Sequence, residues 1–361
     1  MEIGIVGLPF SGKTTLFSTL TGQDVILSHT GKLETHRGIA WVPDSRLDML
    51  SELIKPEKKV NTSIEYVEVG GLESHEGVGK GFDPQFLAIL KTTDSLCLVV
   101  QAFEEETVPH PQGSIDPLRD IYTVETEFIL SDLGIVEHRL QKLDKQIMQR
   151  KEEEDIRERD MLLKFKENLE QERPLRELTL NEDERIRIRG FQFLSAKPLL
   201  VVVNYAESDI SRESEILGKM KDIEQKSRVA VTGLCAKIEL EISKLDAEDQ
   251  QIFLDDLKIG QPAFHKLIQK SYELQGLISF FTMTDVECRA WAIPEGTPAQ
   301  KAAGTIHSDM ERGFIRAEVV HFSDFTKYGS FSKCREQGIL RLEGKDYIVK
   351  DGDIMLVRFN V

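Results

Sequence analysis

The sequence predicts an α/β fold with a mostly parallel sheet, an inserted antiparallel helical arm and a separate strand-rich module at the C-terminal end. Three observations predict it. The loop GLPFSGKTT, Gly7–Thr15, follows an apolar run and opens the amphipathic segment TLFSTLTG. Short, continuously apolar runs recur with helical stretches between them, the pattern of parallel strands covered on both faces. Between Ile121 and Ala196 that pattern gives way to a charged stretch with a heptad-like seam.

In chain order the strands are EIGIVG from Glu2, SIEYVEV from Ser63, SLCLVV from Ser95, PLLVVVN from Pro198 and RVAVTG from Arg228. The arm rests on Ile129, Leu133, Val136, Leu140, Leu143 and Ile147, spaced alternately four and three apart. The run RKEEEDIRERD, Arg150–Asp160, reads as a polar turn or solvated end, and Leu162, Phe165 and Leu169 repeat the spacing on the return. From about Ile278, short strands and turns take over, among them LEGKDYIVKDGDIML with its Asp351-Gly352-Asp353 turn. The expected division is 1–122 and 197–277 as two parts of one α/β domain, 123–196 as the helical coiled-coil insertion, and 278–361 as a separate α+β module. Deletion from Ile278 onward is then expected to leave the N-terminal site nearly intact.

A chain of 361 residues with 40% hydrophobic content is long enough for two or three domains. No apolar run approaches the roughly 20 residues that cross a bilayer, and a strand rather than a signal peptide opens the chain, so a cytoplasmic location without membrane association is expected. Cys97, Cys235, Cys288 and Cys334 are far apart and read as reduced thiols. The 62 acidic against 46 basic residues give a net charge of −16, which disfavours duplex DNA. The last module, with 11 basic and 12 acidic residues from 278 onward, is nearly neutral.

The loop matches G-x-x-x-x-G-K-[ST] from Gly7 to Thr14. In such a loop the backbone of Phe10, Ser11, Gly12, Lys13, Thr14 and Thr15 cradles phosphates, the lysine ammonium adds a point charge, and the Thr14 hydroxyl faces Mg²⁺. YVEVGGL supplies Glu68 and Gly71 at D-x-x-G spacing, with Glu68 a second candidate on the metal side. Directly after the strand PLLVVV stand Asn204, Tyr205, Ala206 and Glu207, at the place where guanine-specific relatives carry N-K-x-D. Here the lysine is missing and the carboxylate is one methylene longer.

With these motifs in this order, the chain resembles the YchF subfamily of Obg-like P-loop ATPases nearly end to end. The supports are GLP before the loop, VPDSRLDMLSELIKP, DPLRDIYTVETEFILSDLGIVEHRL, CAKIELEISKLDAEDQQIFLDDL and the C-terminal RAWAIPEGTPAQKAAGTIHSDMERGFIRAEVVHFSDF. The resemblance implies a P-loop NTPase domain with a C-terminal β-grasp (TGS) domain, a preference for ATP over GTP, Mg²⁺ as cofactor, and ribosome or ribosomal RNA as partner. It adds Cys235 and Ala236 to the nucleotide contacts of Asn204, Tyr205 and Glu207. It also assigns catalytic parts to His110, in a loop after the third parallel strand, to Gly71 and to Leu72, the hydrophobic residue after D-x-x-G. The chain departs from the family pattern at three places. Phe10 and Ser11 replace an Asn-Val pair whose Asn is linked to potassium. Gly31-Lys32-Leu33-Glu34-Thr35 replaces C-T-I-E-P, putting Lys32 where a metal-ligating Thr is expected. Glu68 replaces Asp.

The expected function is a slow ATPase switch acting on the ribosome. A nucleotide-binding module with little hydrolysis, and a small-molecule kinase, are the alternatives.

Overall fold

A computed structural model describes residues 1–25, 34–70, 82–257 and 259–360. The N-terminal apolar run forms β1 (Glu2–Val6), and the glycine-lysine loop leads from it into α1 (Lys13–Thr21). There follow β2 (Glu34–Trp41), α2 (Ser45–Ile54), β3 (Lys58–Val60), β4 (Ser63–Gly70), α3 (Pro84–Thr92) and β5 (Ser95–Ala102). The arm is α4 (Pro117–Gln149) and α5 (Glu153–Glu170), after which come α6 (Glu182–Ile188), β6 (Leu199–Tyr205), α7 (Glu213–Gly218), α8 (Lys221–Glu224) and β7 (Val229–Leu234). Helices α9 (Ala236–Ser243), α10 (Ala247–Asp256) and α11 (Ala263–Leu274) lead to the C-terminal elements.

Among the described residues, one six-stranded sheet has the order β2-β4-β1-β5-β6-β7. β1 lies between β4 and β5, parallel to both, and β5, β6 and β7 continue in parallel. β6 is buried at every position. This is why its run LLVVV carries no polar alternation: helices cover both faces. Val6, Leu98, Val100, Val201 and Val203 pack with Phe86 and Leu90 of α3 and with Ile121, Val124 and Phe128 of α4. No helix among the described residues is long and apolar enough to cross a membrane. All four cysteines are free and buried.

Helix α4 serves two cores. Asp116 caps it by accepting from the Arg119 N–H, with Pro117 in the first turn. Its first turns pack on the sheet, and the remainder of its 33 residues, about 50 Å in all at 1.5 Å per residue, forms the arm. There Ile129, Val136, Leu140 and Leu143 meet Met161, Leu162, Phe165 and Leu169 of α5. The reversal occupies Arg150–Glu152, so most of the charged run 150–160, read as a turn from sequence, is the first part of α5. Arg139–Glu158 and Lys166–Glu137 ion pairs tie the two helices in antiparallel register. Where the chain returns to the sheet, Asp132 accepts from the Leu194 and Ser195 N–H groups at 3.0 and 2.7 Å. Burial pushes its carboxyl up to about 6.

The chain divides into two compact units, Met1–Ala40 with Glu65–Leu267 and Trp41–Ile64 with Ile268–Val361. The second unit therefore takes in a segment that sequence reading assigned to the first domain. Its sheet has the order β11-β10-β12-β8-β9-β3, built from β8 (Leu277–Met283), β9 (Glu287–Pro294), β10 (Phe314–His321), β11 (Arg341–Glu343), β12 (Asp353–Phe359) and the excursion strand β3. β3 pairs in parallel with β9, Lys59 opposite Cys288. Leu47 and Leu50 of α2, fully buried, belong to the core formed by Phe281, Met283, Val320, Phe325, Cys334 and Ile354. Arg46 bonds the Asp44 carboxylate and reaches Asp351 at 2.6 Å, its guanidinium 5.2 Å from the Phe281 ring centroid. Deleting the chain from Ile278 thus removes only part of this unit.

A chain ending at Gly276 would leave Leu47, Leu50 and β3 without their partners. Each exposed leucine forfeits about 1.5–3 kcal/mol of burial, so the truncated protein is expected to bind a hydrophobic dye and to self-associate on size exclusion. A monomeric truncation that melts as cooperatively as the full chain would contradict this reading of the excursion.

Candidate functional site

The site is built at the carboxyl ends of β1, β4 and β6. The loop Gly7–Gly12 turns tightly out of β1, and glycine is required at both ends for steric reasons. A Cβ on Gly7 would overlap the Val99 carbonyl of β5, and one on Gly12, at φ +97°, would overlap the Asn204 side-chain amide. Phe10 sits at φ 66° with its ring 56% exposed. The left-handed conformation costs a non-glycine residue roughly 1–2 kcal/mol, and a side chain left mostly in solvent offsets little of it.

The Lys13 ammonium folds back and donates to the Leu8 carbonyl at 2.8 Å. Burial lowers its pKa to about 8, against the opposing effect of the Glu68 carboxylate. Thr14 Oγ1 donates to Glu68 Oε1 at 2.5 Å, and Glu68 Oε2 is buried without a hydrogen-bond partner. A hydroxyl and a carboxylate with an unmet oxygen form the donor set that a small, hard cation prefers. Among the described residues no group of three or more His, Cys, Asp or Glu side chains could hold a metal, so Mg²⁺ here would draw the rest of its shell from phosphate and water. Thr15 is half-buried, its carbonyl bonded by the Thr19 hydroxyl.

Asn204, at the end of β6, joins the loop to the next helix. Its amide nitrogen donates to the Ser11 carbonyl and its amide oxygen accepts from the Ala236 N–H, both at 3.0 Å.

Residues 277–360 match the family model YchF-GTPase_C, described as a protein of unknown function (DUF933), and residues 2–167 match a model described as 50S ribosome-binding GTPase. The chain is 38% identical to the ribosome-binding ATPase YchF of Bacillus subtilis over the whole of both chains. It is 39% identical to the protein of the same name from Haemophilus influenzae, covering all of this chain and 99% of that one. The chain belongs to the YchF family. A solved structure of the Schizosaccharomyces pombe YchF GTPase matches 99% of this chain and 97% of its own at a TM-score of 0.88 and 28% identity, which shows the P-loop NTPase fold.

In this YchF-family chain the residues expected at the base divide into two groups. Tyr205 is a core residue: its ring packs with Cys235, Ile238, Ile242 and Leu254 and lies against Gly233, where an added Cβ would meet Tyr205 Cε1 at 2.8 Å. Asn204 and the Ala236 N–H are bonded to each other, so their role in the described structure is to hold the loop. Cys235 is buried at the cap of α9, with its thiol pushed up by burial. Glu207 alone of this group has an exposed side chain. Tyr205 was expected at the nucleotide from its place after Asn204, but position 205 points to the side of β6 that α9 covers.

His110 is brought close to the loop but turned inward. Its Nε2 lies 2.7 Å from Asp120 Oδ2, and the two side chains share a pocket with Leu8, Pro9, Ser11 and Gln101. Asp120 and Gln101 were missed from sequence. The available signal was an acid in register with Val124 and Phe128 at helical spacing, a charge on a buried face. Gly71, Leu72 and Lys32 lie outside the described residues; Thr35 is exposed on β2.

Nucleotide affinity should depend on pH through Lys13. Below about 8 the free site holds an ammonium; above it the amine is neutral and binding must take up a proton. The affinity for a triphosphate is therefore expected to fall as pH rises from 8 to 9.5, approaching about tenfold per pH unit, in titration calorimetry. Lys13→Ala should remove most of the binding and the pH dependence with it. An affinity in the unmodified protein that is flat over this range would refute the assignment.

Proposed function

We propose that the chain is a nucleotide-dependent switch protein that binds ATP with Mg²⁺, hydrolyses it slowly and acts on the ribosome in the cytoplasm. The observation that carries this reading is the Gly7–Thr14 loop with Lys13 and the Thr14–Glu68 pair at its mouth. The names of the relatives, ribosome-binding ATPase and GTPase, support the reaction class and the partner.

On this reading Lys13 leaves the Leu8 carbonyl for the phosphates, exchanging a bond to a neutral acceptor for one between opposite charges. Thr14 Oγ1 and the Glu68 carboxylate would hold Mg²⁺, which would supply charge neutralisation at the phosphates. Backbone N–H groups at the start of α1 face the same anion. Hydrolysis is slow because Phe10 gives no side-chain oxygen to a monovalent cation, and because Thr14 and Glu68 must part before both serve the metal. Those two features also favour the second reading, binding with little turnover. Single-turnover hydrolysis of radiolabelled ATP separates the two.

Base choice rests on Glu207. Guanine offers two N–H donors to a matched aspartate, whereas here Tyr205 is buried in the core and the carboxylate is longer, so ATP is expected to bind more tightly than GTP. A GTP preference of tenfold, about 1.4 kcal/mol, would overturn this. Replacing sodium by potassium is expected to leave the hydrolysis rate unchanged and to raise it in Phe10→Asn; strong potassium activation of the unmodified protein would remove the argument from Phe10.

A further inference from the structure

His110 and Asp120 form a buried pair, 3% and 2% exposed in their side chains, between the phosphate loop and the root of the arm. His110 Nδ1 accepts from the Gln112 N–H at 3.1 Å, so in the neutral imidazole the hydrogen is on Nε2 and is donated to Asp120 Oδ2. Asp120 Oδ1 accepts from the Arg119 guanidinium at 3.1 and 3.3 Å. Both ring nitrogens of His110 are thereby engaged. The imidazole has no free N–H to offer a phosphate oxygen and no free lone pair to take a proton from water until one bond opens.

Asp120 lies in the first turn of α4, the helix whose later turns form the arm. Two of its neighbours in the pocket are not fully bonded. Ser11 Oγ, on the phosphate loop, and Gln101 Oε1, at the end of β5, are buried there without hydrogen-bond partners. Unmet polar groups beside a closed pair mark an arrangement that a small shift would improve. A single helix thus connects the arm to the carboxylate that holds His110.

We propose that Asp120 is a positioning residue that holds His110 withdrawn from the phosphate site, so that the root of the arm restrains hydrolysis. This rests on the hydrolytic reading above and on the catalytic part that the family resemblance assigns to His110. Movement of α4 opens the Nε2–Asp120 bond and frees the imidazole N–H on the loop's side of the pocket.

The test is steady-state ATP hydrolysis by the full chain and by Asp120→Ala, Asp120→Asn, His110→Ala and the Asp120→Ala/His110→Ala double variant. Asp120→Ala is expected to raise kcat about five- to tenfold with KM for ATP within about twofold. Asp120→Asn, isosteric and still able to accept the hydrogen bond, should give a smaller rise and decides the matter if the alanine variant does not fold. The double variant should fall to the rate of His110→Ala. Nitrogen-15 NMR of the nucleotide-free protein should find the His110 proton on Nε2.

An unchanged or lowered kcat in the folded Asp120 variants, a rise that persists without His110, or a proton on Nδ1 would overturn the proposal while leaving the hydrolytic reading in place. Absence of hydrolysis in every form would overturn both.

Discussion

The two hydrogen bonds of the Asn204 amide are the constraint on which the nucleotide site depends. One end of a single buried side chain holds the Ser11 carbonyl of the phosphate loop, and the other holds the first N–H of α9. Leaving either group unpaired would cost about 1–3 kcal/mol, so the Asn204 amide ties both the loop and the start of α9 to the end of β6. The close approach of that amide is also what forbids a side chain at Gly12. The Ser11 carbonyl, the glycine at position 12 and the start of α9 are all tied to one residue at the end of one strand.

Around that frame the polar side chains of the site are bonded within the protein. Lys13 is on the Leu8 carbonyl, Thr14 on Glu68, and His110 on Asp120. Each of these bonds is made by one side chain that a phosphate, a cation or a water could also engage, whereas the Asn204 amide joins two backbone groups. On the proposed reading the site combines a fixed cradle with three side chains, Lys13, Thr14 and His110, that exchange partners to act. The length of the Glu68 side chain matters here: it carries the carboxylate to the Thr14 hydroxyl directly and leaves its second oxygen buried and unmet.

Much of this was legible in the sequence, for identifiable reasons. The loop pattern fixed the positions of Lys13 and Thr14, continuous apolar runs located the parallel strands, and the four-three spacing from Ile129 to Ile147 located the arm. The excursion 41–64 was not legible. β3 is three residues, Lys58–Val60, without an apolar signature, and its partner β9 lies more than 200 residues away. The amphipathic pattern of α2 states that Leu47 and Leu50 are buried but not in which core. At the site, N-x-x-E gives position along the strand and not which face a side chain takes: Asn204 bonds the loop and the start of α9, while Tyr205 packs into the core. Asp120 was hidden in a run of charges at a helix start, where an acid is ordinarily solvated.

The account separates a fixed cradle from exchangeable charges, and a structure of the full chain with Mg²⁺ and a non-hydrolysable ATP analogue tests that separation most directly. It predicts that Lys13 Nζ leaves the Leu8 carbonyl for the phosphates and that Thr14 and Glu68 oxygens face the metal, while the Asn204 bonds to Ser11 and Ala236 stay in place. Lys13 still bonded to Leu8 beside a bound triphosphate, or an Asn204 amide turned away from Ser11 to meet the base, would contradict it.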